Sequence, residues 1–205
     1  MSKHHIVYFG TYIDNKCDKI EIVPSIKQTK DWRKMQSWYD NGKRNECEKF
    51  QRTQIEKITD EPCQKTNGLR INMVTNELVE MNYPSRQLNF FDYTEDFDGR
   101  QQIRNNTLLY NLKMVCDTGG AQTRTLREVA HFIRTQIAYA EKAADTETLE
   151  MSNTYFVNIL DGDTSYKYRD HFKHLLDKKS VKNIIFIGDL FEFQYWVQNL
   201  AKHDS

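Results

Sequence analysis

The chain has 205 residues, a length that suits one domain with a core of its own and no need for staples. Its 29 basic and 29 acidic residues cancel, which excludes the bulk positive field of a nonspecific nucleic-acid coat but leaves room for a local basic cleft. With 11 Phe, 11 Tyr and 3 Trp against 8 Gly and 3 Pro, long disordered stretches are not expected.

In chain order, residues 6–13 (Ile-Val-Tyr-Phe-Gly-Thr-Tyr-Ile) and 20–23 read as short strands about an Asp14-Asn15 turn. Helical spacing begins at Asp31, runs through Trp32, Met35, Trp38 and Tyr39, and breaks at Asn41-Gly42. A charged helix follows over 45–58, with Cys47, Phe50, Gln54 and Ile58 along one side, before Pro62. Residues 69–81 suggest another helix, with Ile71, Val74, Leu78 and Met81 as its apolar stripe and Glu77 and Glu80 beside it.

Residues 90–98 and 107–117 read as two strands joined by a polar loop. Alternation along the second puts Leu108, Tyr110, Leu112, Met114 and Cys116 on one face. Leu109, Asn111, Lys113, Val115 and Asp117 fall on the other. Thr125 and Glu128 have the spacing of a capping box, and the helix after them carries Leu126, Val129, Ala130, Ile133, Ile137 and Ala140 on one face. Beyond a polar loop, a strand over 155–160 ends in Asp161-Gly162-Asp163. A helix through Tyr168 and Phe172, a strand over 181–187 and a closing helix over 191–200 complete the chain. This alternation predicts an α/β (mixed α+β) fold, a central mixed sheet flanked by helices. The last two strands are apolar enough to be covered on both faces.

Cys17, Cys47, Cys63 and Cys116 show neither Cys-x-x-Cys spacing nor histidines at zinc-ligand spacing. No secretory leader pattern opens the sequence and no apolar run reaches membrane length, so a reducing, cytoplasmic setting with free thiols and no membrane is expected.

The chemistry-bearing residues cluster around the two middle strands. Asp98 ends the first, and Asn111 and Lys113 share a face of the second. An acid and an ammonium so placed suit a divalent cation beside a phosphate. The plainer alternative is a half-buried strand with a wet face, preceded by a turn aspartate. The acid followed by Asn-x-Lys resembles the PD-(D/E)xK nuclease superfamily, over residues 69–187 in element order. There an acid on one strand precedes an acid-x-lysine triplet on its neighbour; here Asn111 replaces the second acid. The resemblance implies a restriction-endonuclease-like core, Mg2+ as cofactor, and Asp98, Asn111 and Lys113 as catalytic residues. Asp98 and the Asn111 amide oxygen would hold the metal, and Asp96 or Glu77 could supply the missing charge.

The run Gly119-Gly120-Ala121-Gln122-Thr123-Arg124 after the lysine strand resembles a loop of type II restriction endonucleases. That similarity implies a site-specific endonuclease acting on double-stranded DNA, with a homodimer if the target is palindromic. Gln122, Thr123, Arg124, Arg127 and His131 would then contact DNA, while Arg134 reads as a solvated helix position. It further implies one nuclease-like domain over 1–205, with a polar N-terminal portion (1–68) and a catalytic core (69–205). Asp161-Gly162-Asp163 and Gly188-Asp189 read as turns. The rival function is a noncatalytic nucleic-acid-binding or interaction domain that keeps the sheet without its chemistry.

Overall fold

The computed structural model describes residues 22–41, 43, 45–81, 89–145 and 153–203. The strand expected over 6–13, most of that over 20–23, and Cys17 lie outside them. Helix α1, Lys30–Lys34, is capped by the Thr29 hydroxyl, which accepts from the Trp32 N–H at 3.1 Å. It stops after one turn, well short of Tyr39. Beyond it Trp38 stacks on Phe50 with ring centroids 4.4 Å apart, so aromatic packing overrides the helical spacing. Helix α2, Glu46–Thr59, lies where expected and buries Gln51 and Ile55, with Phe50 and Ile58 packed at the flanks.

In place of the helix expected over 69–81 there is an antiparallel hairpin, β1 (Leu69–Asn72) and β2 (Glu77–Glu80). The Asn72 side-chain oxygen accepts from the N–H groups of Val74 and Thr75, a local turn that competes with helix formation. Val74, assigned to the apolar stripe, is 73% exposed, while Leu69 and Ile71 alternate into the core.

The strand expected over 90–98 is also displaced. Phe90–Asp92 forms one 3-10 turn, residues 94–97 have no regular structure, Asp98 lies at a bend, and β3 is Gly99–Ile103. Its Gly-Arg-Gln-Gln-Ile sequence looks like a loop because a buried amide does the work of an apolar residue. Gln101 donates to the Thr59 hydroxyl and the Glu61 carbonyl and accepts from the Tyr110 hydroxyl, all within 2.7 Å. Strand β4, Asn106–Met114, pairs antiparallel with β3. Helix α3, Gly120–Asp145, starts five residues before the expected cap, and the Thr125 hydroxyl bonds back to the Ala121 carbonyl. Then come β5 (Thr154–Asp161), α4 (Asp163–His174), β6 (Ile185–Gly188) and α5 (Leu190–His203).

The sheet order is β3-β4-β5-β6, with β4, β5 and β6 parallel, so a mixed sheet carries crossover helices as that topology requires. One face packs Leu109, Phe156 and Ile185 against α3 and α4, which contribute Ile133 and Phe172. The other packs Leu108, Tyr110, Leu112 and Ile159 against Ile55 of α2 and Phe193 of α5. The alternation along β4 is therefore as expected, but neither face is wet in mid-strand: Leu109 and Asn111 are as buried as their neighbours. Among the described residues no helix is long and apolar enough to cross a membrane. Cys47, Cys63 and Cys116 are free thiols, and burial pushes those of Cys63 and Cys116 up to about 12.

Candidate functional site

The β3–β4 pairing brings Asp98 and Lys113 together. Asp98 sits one residue before β3, and its N–H bonds the Tyr110 carbonyl at 2.7 Å. That places its carboxylate beside the far end of β4. Oδ2 accepts from the Leu112 N–H at 2.7 Å and from Lys113 Nζ at 3.2 Å. Glu95 flanks the same ammonium at 3.8 Å, and Arg52 of α2 fixes the Asp98 carbonyl at 3.0 Å. The side chains of Lys113 and Asp98 are only 17% and 12% exposed, so the pair is held at the neck of a cleft rather than on open surface.

That cleft is polar and encloses about 690 Å³. Its other walls include Glu48 from α2, Lys65, and Arg70 from β1, whose guanidinium grips Asp96 at 3.2 Å. Glu48 was not anticipated. In the sequence it is one acid on a charged helix, and only the packing of α2 against β4 brings it here.

The carboxyls of the cleft are raised chiefly by burial, with like charges adding to it. Burial, with Asp96 adding to it, pushes the Asp98 carboxyl above its ordinary pKa, against the pull of Lys113 and the Leu112 N–H. Glu48 is likewise raised, first by burial and then by the negative charge of Asp98. Burial acts to lower the Lys113 pKa, but Asp98, Glu95 and Glu48 outweigh it and hold the ammonium charged. A divalent cation between Asp98 and Glu48 would offset their mutual repulsion. Among the described residues no three His, Cys, Asp or Glu side chains form a metal-binding group. The donor set still suits Mg2+, which typically takes one or two carboxylates and completes its shell with water and substrate phosphate.

Other expected site residues are dispersed. Asn111 is 1% exposed and turns into a buried amide network. It donates to Asn158 Oδ1 at 3.0 Å, which also accepts from Gln136 at 3.1 Å. The Asn111 Oδ1 has no hydrogen-bond partner among the described residues, leaving an unused acceptor next to the site. Asp96 lines the cleft, but Glu77 does not; it is exposed at the turn end of the β1–β2 hairpin, opposite Asn72. Because the hairpin replaces the expected helix, no helical face aims Glu77 at the site.

Gln122, Thr123 and Arg124 lie in the first turns of α3 rather than in a loop. Arg127 and His131 are exposed further along it, beside a second cavity of about 400 Å³ that shares Phe90, Glu95 and Lys113 with the polar cleft.

Two acids read as turn residues are not on the surface. Asp161 is fully buried at the end of β5 and Asp189 nearly so at the end of β6. Asp161 accepts from Gln51 at 2.8 Å, from the Ser25 hydroxyl at 3.3 Å and from the Leu190 N–H at 3.3 Å. Asp189 accepts from the Ser25 N–H at 3.1 Å. The pair therefore pins residues 24–28 over the ends of the parallel strands. Gly162 makes the intervening turn at φ 95°, where a Cβ would meet the Val115 carbonyl oxygen at 2.3 Å. Burial, with Asp189 adding to it, pushes the Asp161 carboxyl up to about 7.

Neither protein-family models, nor curated proteins, nor solved structures give a match to this chain.

Proposed function

We propose that the protein is a Mg2+-dependent DNA endonuclease with a PD-(D/E)xK-type, restriction-endonuclease-like core, acting at specific sites in double-stranded DNA. The observation that carries this reading is the Asp98–Lys113 contact at 3.2 Å on adjacent strands, opening into a polar cleft that Glu48 also faces. Glu48 takes the place of the acid that Asn111 lacks. Asp98 and Glu48 would hold the cation, which when bound polarises the scissile phosphate and makes a bound water nucleophilic. Lys113, kept protonated by its carboxylate neighbours, neutralises charge that develops on the phosphate oxygens. Glu95 restrains that ammonium from its second side. Arg124 and Arg127 extend the positive surface along α3 for the DNA backbone, and a two-fold homodimer would let each copy cut one strand of a palindrome.

One observation favours the noncatalytic alternative: Asn111 is engaged in a structural amide network in place of an acid at the cleft. Duplex DNA incubated with the protein and Mg2+ decides between them. Cutting at discrete sites, slowed about 10²–10³-fold in Lys113→Ala, is expected of the nuclease; binding without cutting under Mg2+ or Mn2+ would establish the alternative.

A further inference from the structure

The cavity beside the cleft adjoins the candidate metal and phosphate site. Phe90, Glu95 and Lys113 belong to both. Its walls differ from those of the cleft: Met73, Tyr93 and Phe132 are apolar or aromatic, and Phe91 stands 83% exposed, edge-on to Phe90 at 5.0 Å. An aromatic ring left that open, on a 3-10 turn next to an ionic site, offers a free face for a planar ligand. The polar wall residues include two acids, Glu95 and Glu128, as well as the basic Lys113 and Arg127. Arg127 and His131 approach from α3, and Asn111, whose Oδ1 has no partner among the described residues, is part of the wall.

We infer that this cavity takes an unstacked nucleobase of the polynucleotide whose phosphate lies at Lys113, with the base stacked on Phe91 or Phe90; this rests on the nuclease reading. A planar, aromatic, hydrogen-bonding group one nucleotide from a phosphate matches the arrangement. The cavity is of ligand-pocket size, has π faces to stack on, and has Lys113 and Arg127 in its wall for the flanking phosphates. A base leaves the stack most cheaply from a single strand, a mismatch or a flexible step, so such positions would be preferred over uniform duplex.

The test compares two fluorescently labelled single strands of equal length, one of mixed sequence and one abasic throughout. Binding to the full chain is followed by anisotropy with Ca2+ replacing Mg2+. The base-bearing strand should bind more tightly than the abasic one. Phe91→Ala, a change at an exposed position, should weaken the base-bearing strand about five-fold or more and leave the abasic strand unchanged. Equal loss on both strands, no loss on either, or no binding of either strand by the natural protein would overturn the inference. Mg2+-dependent cleavage, measured in parallel, separates the two proposals. Cleavage without base-dependent binding removes only the cavity's role, whereas base-dependent binding without cleavage removes only the nuclease.

Discussion

Gln51 joins Asp161 to the strand that bears Lys113: one side-chain nitrogen donates to the Asp161 carboxylate at 2.8 Å and to the Lys113 carbonyl at 3.2 Å. The buried acid at the end of β5 is thus tied to the backbone of the candidate site through one side chain and two hydrogen bonds.

This link gives Asp161 a measurable signature in stability. Its carboxyl is raised to about 7 in the native protein by burial, so the folded state binds its proton more tightly than the unfolded chain does. That contribution is fully present below the unfolded value of about 3.9 and is lost as pH climbs through the folded one, at up to about 1.4 kcal/mol per pH unit. Asp161→Asn should flatten the decline, gaining stability relative to the natural protein from about pH 4 to about pH 7. Denaturant unfolding at several pH values checks this; parallel pH curves for the two proteins would refute it.

Removing Lys113 should affect both chemistry and folding. Lys113→Ala leaves a buried carboxylate without its cation and should cost about 3–5 kcal/mol of stability. The double variant Asp98→Asn/Lys113→Met, which removes both charges, should recover most of that loss. Cleavage should fall by about 10²–10³ in Lys113→Ala if the ammonium acts on transition-state charge. Unfolding curves and single-turnover rates on the same preparations separate these effects.

The parts of the fold that were legible in the sequence are those where one periodicity dominates. The alternation of β4, the apolar runs of β5 and β6, and the stripe of α3 correspond to buried faces, whereas α2 buries Gln51 and Ile55 and leaves its expected side of Cys47, Phe50, Gln54 and Ile58 only half-buried. Illegible parts have a local or tertiary competitor. At Asn72 an Asx turn turns an apparent helical stripe into a hairpin. In β3, Gln101 buries an amide where an apolar residue would have signalled a strand. At the site, the Asp98–Lys113 pairing could be foreseen because it depends on two consecutive segments. Glu48 could not, since its position depends on how α2 lies across the sheet. The acids at 161 and 189 look like turn residues because Gly162 and Gly188 sit next to them, and nothing local reveals that residues 24–28 cover them.

The raised carboxyls of the cleft predict the acid side of the pH profile. Metal binding needs Asp98 and Glu48 ionised, and burial lifts both above the ordinary carboxylate range. Activity should therefore fade with acidification earlier than an exposed aspartate would dictate. Asp96→Asn, which removes a negative neighbour of Asp98, should shift the acid limb to lower pH. A limb that stays put in this variant would contradict the assignment.

Arg124 and Arg127 are exposed on α3 and suit backbone contacts rather than base readout. Replacing either by Ala should weaken binding of all duplex sequences alike and reduce the slope of log K against log salt by about 1. Unchanged slopes in titrations from low to moderate salt would place the DNA elsewhere.

The most direct measurement is hydrolysis of supercoiled plasmid by Asp98→Asn in Mg2+, with thermal unfolding followed on the same sample. Asp98→Asn leaves the Lys113 ammonium with only the more exposed Glu95 at 3.8 Å, so the melting temperature should fall, while nicking and linearisation should disappear in samples still folded at the assay temperature. Plasmid cut at the natural rate by a well-folded Asp98→Asn protein would contradict the account.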